Sequence, residues 1–310
     1  MLLSEQDATQ RTARGLSPYA GRVLRLYDSG QRKVLPVEPA RRGQLSLDIR
    51  APDPARPAHL GDLRPVLVAD LIRRTAERRR LAVLASLASD KAGDAGPAGD
   101  AGPGRGSGPD QDGQGDHERA FRADCTALGV RPPEFSSWRE LGELIDIRVA
   151  PDGPAPGGGR PVARLRAASG PVLFEGREPA VTLTELTRRG LDPLALRMAY
   201  LDRGYREPLD LSWPALASAD AALRRWRGQV AEWATEPSRP LSGDHSGLVI
   251  AAFEDDLNTP AALDALRALD GDAAIPAGAK FETFAHVDQL LGLDLASEIG
   301  RVPAPPPAPR

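Results

Sequence analysis

A chain of 310 residues is long enough for two domains with real cores, and 41% hydrophobic residues is the ordinary share for a soluble protein. The formal charge of −3 sets no field that would draw the whole chain onto nucleic acid or an anionic membrane, although local arginine clusters can still hold phosphate. A single cysteine, Cys125, excludes an internal disulfide framework and a multi-thiolate metal site; with no signal-peptide core behind Met1-Leu2-Leu3 and no apolar run of spanning length, the expected address is the cytoplasm. Aromatics are only 5%, so the core must be mostly Leu, Val and Ala. Abundant Ala, Arg, Gly and Pro make arginine runs weaker signs of function than they look.

Residues 1–15 are polar, unpatterned and expected to form a mobile tail. From Val23 the pattern changes. Val23 to Tyr27 and Leu45 to Ile49 alternate as strands, with a turn at Asp28-Ser29-Gly30. A loop rich in Pro and Ala follows, and then Val66 to Arg79 reads as an amphipathic helix, with Arg73, Arg74, Arg78 and Arg79 opposite its apolar face. Leu81 to Leu84 either extends that helix or forms a short buried strand; in the second case strand, loop, helix and strand make half of a nucleotide-binding α/β unit. Residues 89–116 are almost wholly Gly, Ala, Asp, Pro and Ser and read as a disordered linker. Glu118 to Gly129 is a helix ended by glycine, and Ser137 can cap another from Trp138 to Ile145.

Local signals are strongest from Thr182 to Trp213. Thr182 with Glu185 is a capping box, Gly190 ends that helix, and Asp192 with Pro193 restarts the next as N-cap and first helical residue. Leu216, Ala219, Leu223, Trp226, Val230 and Trp233 then recur at steps of three and four, with Arg224, Arg225 and Arg227 facing away; the tryptophans read as packing rather than as platforms for bases. Leu248 to Phe253 marks a further helix, Asp255 and Asp256 a solvated turn, and Thr259 with Pro260 the cap of the helix bearing Leu263, Leu266 and Leu269. The chain closes in a Pro-rich tail.

Taken in order, Thr182 to Trp213, the corner Tyr205-Arg206-x-Pro208-Leu209, Asp255-Asp256-x-Asn258-Thr259-Pro260 and Leu290-Leu291-Gly292-Leu293 resemble the helical domain of the cysteinyl-tRNA synthetases, which are class I aminoacyl-tRNA synthetases, and the stretch that joins it to the catalytic domain. Asp70-Leu71-Ile72-Arg73-Arg74 and Ala127-Leu128-Gly129-Val130-x-Pro132-Pro133 resemble the catalytic domain itself, which favours the strand reading of Leu81 to Leu84. The resemblance implies α/β plus α: a trimmed class I Rossmann-like domain, its first half at 16–88 and the remnant of its second at 117–180, followed by a helical bundle at 181–297 and the tail at 298–310.

The resemblance also says which chemistry to look for. Where the family has His-Ile-Gly-His, this chain reads His59-Leu60-Gly61-Asp62; His59 and Gly61 match, so they are the candidate nucleotide-binding residues and ATP the implied ligand. An imidazole at a helix N-terminus can donate to phosphate and glycine lets a nucleotide approach the backbone, while a surface-loop histidine is the equally weighted alternative. Asp62 stands where the second histidine is expected, and an anion there repels a triphosphate unless a metal intervenes. Arg50 occupies the position of the first zinc-binding cysteine, so zinc is not expected and Cys125 reads as a small core residue. Gly157-Gly158-Gly159 lacks the family's following carboxylates. Val172 to Ala180 resembles the strand before the KMSKS loop, whose two lysines are missing; Arg177 is the nearest cation and reads as solvated. No catalytic or metal residue is therefore assigned. The expected function is that of a cysteinyl-tRNA synthetase-like protein with aminoacylation impaired or lost and a binding role kept, its partner tRNA or a synthetase; the alternative is an active ATP-dependent cysteine ligase acting on tRNA or an amino sugar.

Overall fold

The computed structural model describes residues 23–50, 52–53, 55–88, 109–134, 138–142, 144–152, 163–178 and 180–301, with the backbone alone at 109–114 and 138. The N-terminal tail at 1–15, most of the linker at 89–108, Ser137, Gly157-Gly158-Gly159 and the last nine residues of the Pro-rich tail lie outside them.

Two strands, β1 (Arg25–Asp28) and β2 (Lys33–Pro36), form an antiparallel hairpin. The sheet proper is parallel and four-stranded. It is built from β3 (Gln44–Arg50), β4 (Ala82–Ala88), β5 (Ile147–Pro151) and β6 (Leu165–Ser169) in the order β4-β3-β5-β6. Leu45, Leu47 and Ile49 of β3 are buried, as are Ile147 and Val149 of β5, and helix α1 (Leu60–Arg78) packs on these strands. Parallel sheets are usually apolar on both faces. Here Ser46 and Asp48 alternate with the leucines yet are buried too: Asp48 accepts from Ser86 Oγ at 3.1 Å and from Arg148 Nε at 2.8 Å, and Asp146 accepts from the Ser46 amide at 2.8 Å. The alternation therefore distinguishes two buried faces, one apolar and one hydrogen-bonded.

Helix α1 departs from its expected start at Val66. It begins six residues earlier and carries Pro65 inside. Nor is it one-sided: Arg64, Asp70 and Arg73 are buried along with its leucines, because the sheet lies against one side and the helical half against the other. Helix α2 (Pro109–Ala127) also starts earlier than expected, so residues 109–116 are helical rather than part of a linker. Proline opens a helix without sacrificing a needed amide. Cys125 on α2 is 1% exposed, and burial pushes its thiol up to about 12, as befits a core residue. The helix expected from Trp138 to Ile145 is a single 3₁₀ turn, Trp138–Leu141, ended where Gly142 adopts φ +87°.

A small parallel pair, β7 (Val172–Phe174) with β8 (Leu209–Leu211), stitches the expected boundary near residue 180. Between these strands run α3 (Leu183–Arg188) and α4 (Pro193–Leu201), and after them α5 (Trp213–Trp233), α6 (Gly243–Glu254), α7 (Thr259–Gly271) and α8 (Ala277–Leu291) form the bundle. The local signals act at Thr182, which accepts from the Glu185 amide as one half of the expected capping box, at Asp192, which accepts from the Leu194 amide, and at Gly190, in the left-handed region at φ +80°. Trp226 and Phe284 meet edge-on with ring centroids 5.5 Å apart in the bundle core.

Three readings need correction. The cap of α7 is Asn258, whose side chain accepts from the Ala261 amide, and Thr259 is the first helical residue. Arg227 does not face away: it is buried, paired with Asp192 and donating to the carbonyls of Leu293 and Asp294. Asp256 is not a solvated acid; it accepts from the Tyr27 amide at 2.8 Å, Tyr205 Oη at 2.8 Å and Arg206 Nη2 at 2.9 Å, joining the hairpin to the bundle, while Asp255 beside it stays exposed.

Candidate functional site

In the sheet, β3 pairs with β4 on one side and β5 on the other, so the strand order reverses at β3, and in open α/β sheets ligands bind outside the C-terminal ends of the strands at such a reversal. The loop leaving the C-terminal end of β3 brings Arg56, His59, Gly61 and Asp62 to the first turn of α1. His59 is the N-cap in an extended conformation, and Gly61 sits half-buried in the first turn. Structure and sequence thus bring the two expected residues together.

The electrostatics of that turn are set by residues sequence reading did not weigh. Arg56 grips Asp62 with both nitrogens, Nη1 to Oδ2 at 2.6 Å and Nη2 to Oδ1 at 3.0 Å, while the His59 amide donates to Oδ2 at 2.9 Å. Bidentate, charge-assisted pairs of this kind are among the stronger hydrogen bonds. Asp62 is therefore a neutralised cap whose carboxylate satisfies one orphan amide of the helix. A second amide is also taken: Leu60 N–H donates to the Val181 carbonyl at 2.8 Å. The Tyr200 hydroxyl donates to the Leu60 carbonyl, so the helical half holds both the amide and the carbonyl of Leu60. His59 Nδ1 lies 3.4 Å from Asp62 Oδ2, buried and without a hydrogen-bond partner. Burial lowers the imidazole pKa, Asp62 opposes the shift and Arg56 adds to it, so His59 is neutral at pH 7.

A triphosphate fits this turn poorly as it stands, because a carboxylate occupies the third helical position and the first amide is spoken for. At the end of β3, Arg50 takes the place of the expected thiolate, and among the described residues no three His, Cys, Asp or Glu side chains cluster as a metal site. The strand expected from Val172 to Ala180 ends at Phe174, where the chain makes a two-residue turn: Glu175 and Gly176 take φ of +51° and +74°, the Phe174 amide donates to the Arg177 carbonyl at 2.8 Å, and the Gly176 amide is tied to Asp210. Arg177 is exposed there. No helix of the described residues is long and apolar enough to cross a membrane.

No family profile matches the chain. The L-cysteine:1D-myo-inositol 2-amino-2-deoxy-alpha-D-glucopyranoside ligase of Thermobispora bispora is 34% identical over 56% of this chain and 45% of its own length. The cysteine–tRNA ligase of Treponema pallidum is 33% identical over 38% of this chain and 27% of its own length. The matched stretches thus span less than half of these curated relatives. Thermus thermophilus arginyl-tRNA synthetase superposes with a TM-score of 0.46 at 13% identity, over 84% of this chain and 81% of that one. Over part of its length the chain is thus similar both to cysteine–tRNA ligases and to cysteine–amino-sugar ligases.

Proposed function

We propose that this protein keeps the scaffold of a cysteine ligase but has lost or greatly weakened cysteine activation, and that it serves as a binding protein for tRNA or for a synthetase. The observation that carries this reading is the first turn of α1, where Arg56 locks Asp62 over the His59 amide and Val181 takes the Leu60 amide. Adenylate formation needs fixed cations at the phosphates as charge develops, and loss of such groups costs orders of magnitude in rate. The turn from Phe174 to Arg177 supplies one exposed arginine and no lysine. Zinc has no part in this reading, since Arg50 is permanently charged.

The deciding experiment is cysteine-dependent ATP–pyrophosphate exchange with the purified chain. No exchange above background is expected; exchange that disappears in His59→Ala would overturn the proposal. The binding role predicts a salt-sensitive mobility shift with tRNA or co-purification with a synthetase, and the absence of both would refute it. The competing reading is an active ligase in which His59 and Gly61 hold ATP. It draws support from the unpartnered Nδ1 of the neutral His59, and it requires Asp62 to leave Arg56 or to meet a bound divalent ion.

A further inference from the structure

At the opposite end of α1 from His59, an open cleft of about 660 Å³ lies between the last turns of α1, the exit of α2 and the end of α8. That size is within the range of small-ligand pockets. Four guanidinium groups line it, those of Arg73, Arg74, Arg78 and Arg131, against one lining carboxylate, Glu77. Their partners divide them into two sets. Arg73 and Arg74 bind Asp70 beneath the floor, with Arg74 also donating to the carbonyls of Gln289 and Gly129, so these two are fixed parts of the fold. Arg78, on α1, and Arg131, just after α2, are exposed. Arg131 bonds Glu77 at 2.9 Å, a carboxylate also 3.7 Å from Arg73, and Arg78 meets, among the described residues, the ring of His286, at 3.2 Å.

Charge balance decides what this cleft is for. Asp70 and Glu77 offset two of the four guanidinium groups, and Arg197, the third cation on Asp70, draws on the same floor carboxylate. The C-terminal ends of α1, α2 and α8 all meet at the cleft and each supplies about half a negative charge, and the buried carboxyl of Asp288 lies within electrostatic reach of Arg74 and Arg197, so the fixed arginines of the floor are largely answered from within. What faces the concave space from two separate elements is the pair of exposed forks of Arg78 and Arg131, with Glu77 as the lining carboxylate. We infer that the cleft binds a phosphate-bearing ligand, whose oxygens match the forks of Arg78 and Arg131. Free phosphoesters and the phosphates of an RNA backbone share this chemistry. The cleft is remote from His59 and uses none of the residues discussed there; its RNA arm deepens the binding role proposed above, and its phosphoester arm goes beyond that role. tRNA binding that R78A/R131A retains would leave the binding role standing while overturning this cleft as its site.

The test uses the full chain with two probes, inorganic pyrophosphate by calorimetry and bulk tRNA by mobility shift over a salt series, and compares wild type with R78A/R131A and R78K/R131K. Both positions are exposed, so thermal unfolding of the variants should match wild type. The expected result is at least a tenfold weaker affinity for one or both probes in R78A/R131A, a tRNA salt slope reduced by about 2, and partial recovery with lysine. Pyrophosphate binding lost in the variant identifies a small phosphoester site; a loss confined to tRNA identifies backbone phosphate. Failure of the wild type to bind either probe, or equal binding by R78A/R131A, would overturn the inference. Exchange activity in the same preparations reads the proposed function separately, because neither substitution touches the His59 turn.

Discussion

The two ends of α1 carry opposite electrostatic settlements. At the N-terminus, where a class I fold would be expected to hold phosphate, the amides and the Asp62 carboxylate are satisfied from within by Val181 and Arg56. At the C-terminus, where a helix needs little more than one cation, arginines outnumber the acids available to them. The lesson is that phosphate-binding capacity follows the local surplus of donors over acceptors, and a motif remnant such as His59-Leu60-Gly61 is not by itself that surplus.

The largest effect should come from cutting the carboxylate under the C-terminal cleft. Asp70 is fully buried beneath Arg73, Arg74 and Arg197; burial opposes its charge, but Arg197, Arg74 and Arg73 together win and hold the carboxyl below its usual range. Asp70→Ala would strand Arg197 in the core at a cost of about 3–5 kcal/mol, read by denaturant unfolding. Because the native pKa is depressed, the stability Asp70 supplies is present above the unfolded carboxylate value and is lost as pH falls through the native one, so wild type and variant should converge in acid. An equal loss in R78A/R131A would break the comparison, since those rim arginines are expected to change stability by no more than about 0.5 kcal/mol.

A smaller loss, about 1–3 kcal/mol, is expected for Asp256→Ala, which removes the acceptor shared by Tyr27, Tyr205 and Arg206 far from either end. At the N-terminus, Asp62→Ala should cost about 1 kcal/mol as a lost cap. It should also free Arg56, so any gain of ATP affinity on titration would show that the end was closed by Asp62 alone. The smallest effect has the opposite sign. Desolvation raises the carboxyl of Asp124 to about 6, so its ionisation works against the fold. The native state then holds more protons than the unfolded one between about pH 4 and 6, and stability falls as pH rises through that window. Asp124→Asn should raise the Tm at pH 7 by no more than a degree or two, with no gain at pH 4.

Much of the helical half was legible because its signals are local: Thr182, Gly190 and Asp192 with Pro193 each act within four residues. The four-stranded sheet was half legible. β3 alternates strongly, whereas Leu165 to Ser169 is Leu-Arg-Ala-Ala-Ser, with little β propensity of its own, and is a strand because β5 pairs with it. The buried arginines could not be read from period. Arg64, Arg197 and Arg227 look like solvent-facing helix residues, and their burial depends on carbonyls and carboxylates far off in the sequence. Of the candidate site, His59, Gly61 and the anomaly of Asp62 were visible in the text, but Arg56, which decides what Asp62 does, sits in a Pro- and Ala-rich loop that offers no periodic signal.

Arg64 has one more consequence. It sits in α1 and donates to the carbonyls of Gly170 at 2.9 Å, Glu207 at 2.7 Å and Gly204 at 3.0 Å, and a Cβ on Gly170 would come within 2.5 Å of the Arg206 and Glu207 carbonyls. The corner that begins the bundle is thus moulded around a side chain delivered by the other half. A gene fragment starting near residue 181 would encode every helix of the bundle and still lack the pin around which its first loop sets, so excision of the bundle should yield an adhesive, incompletely ordered product unless α1 is supplied in trans.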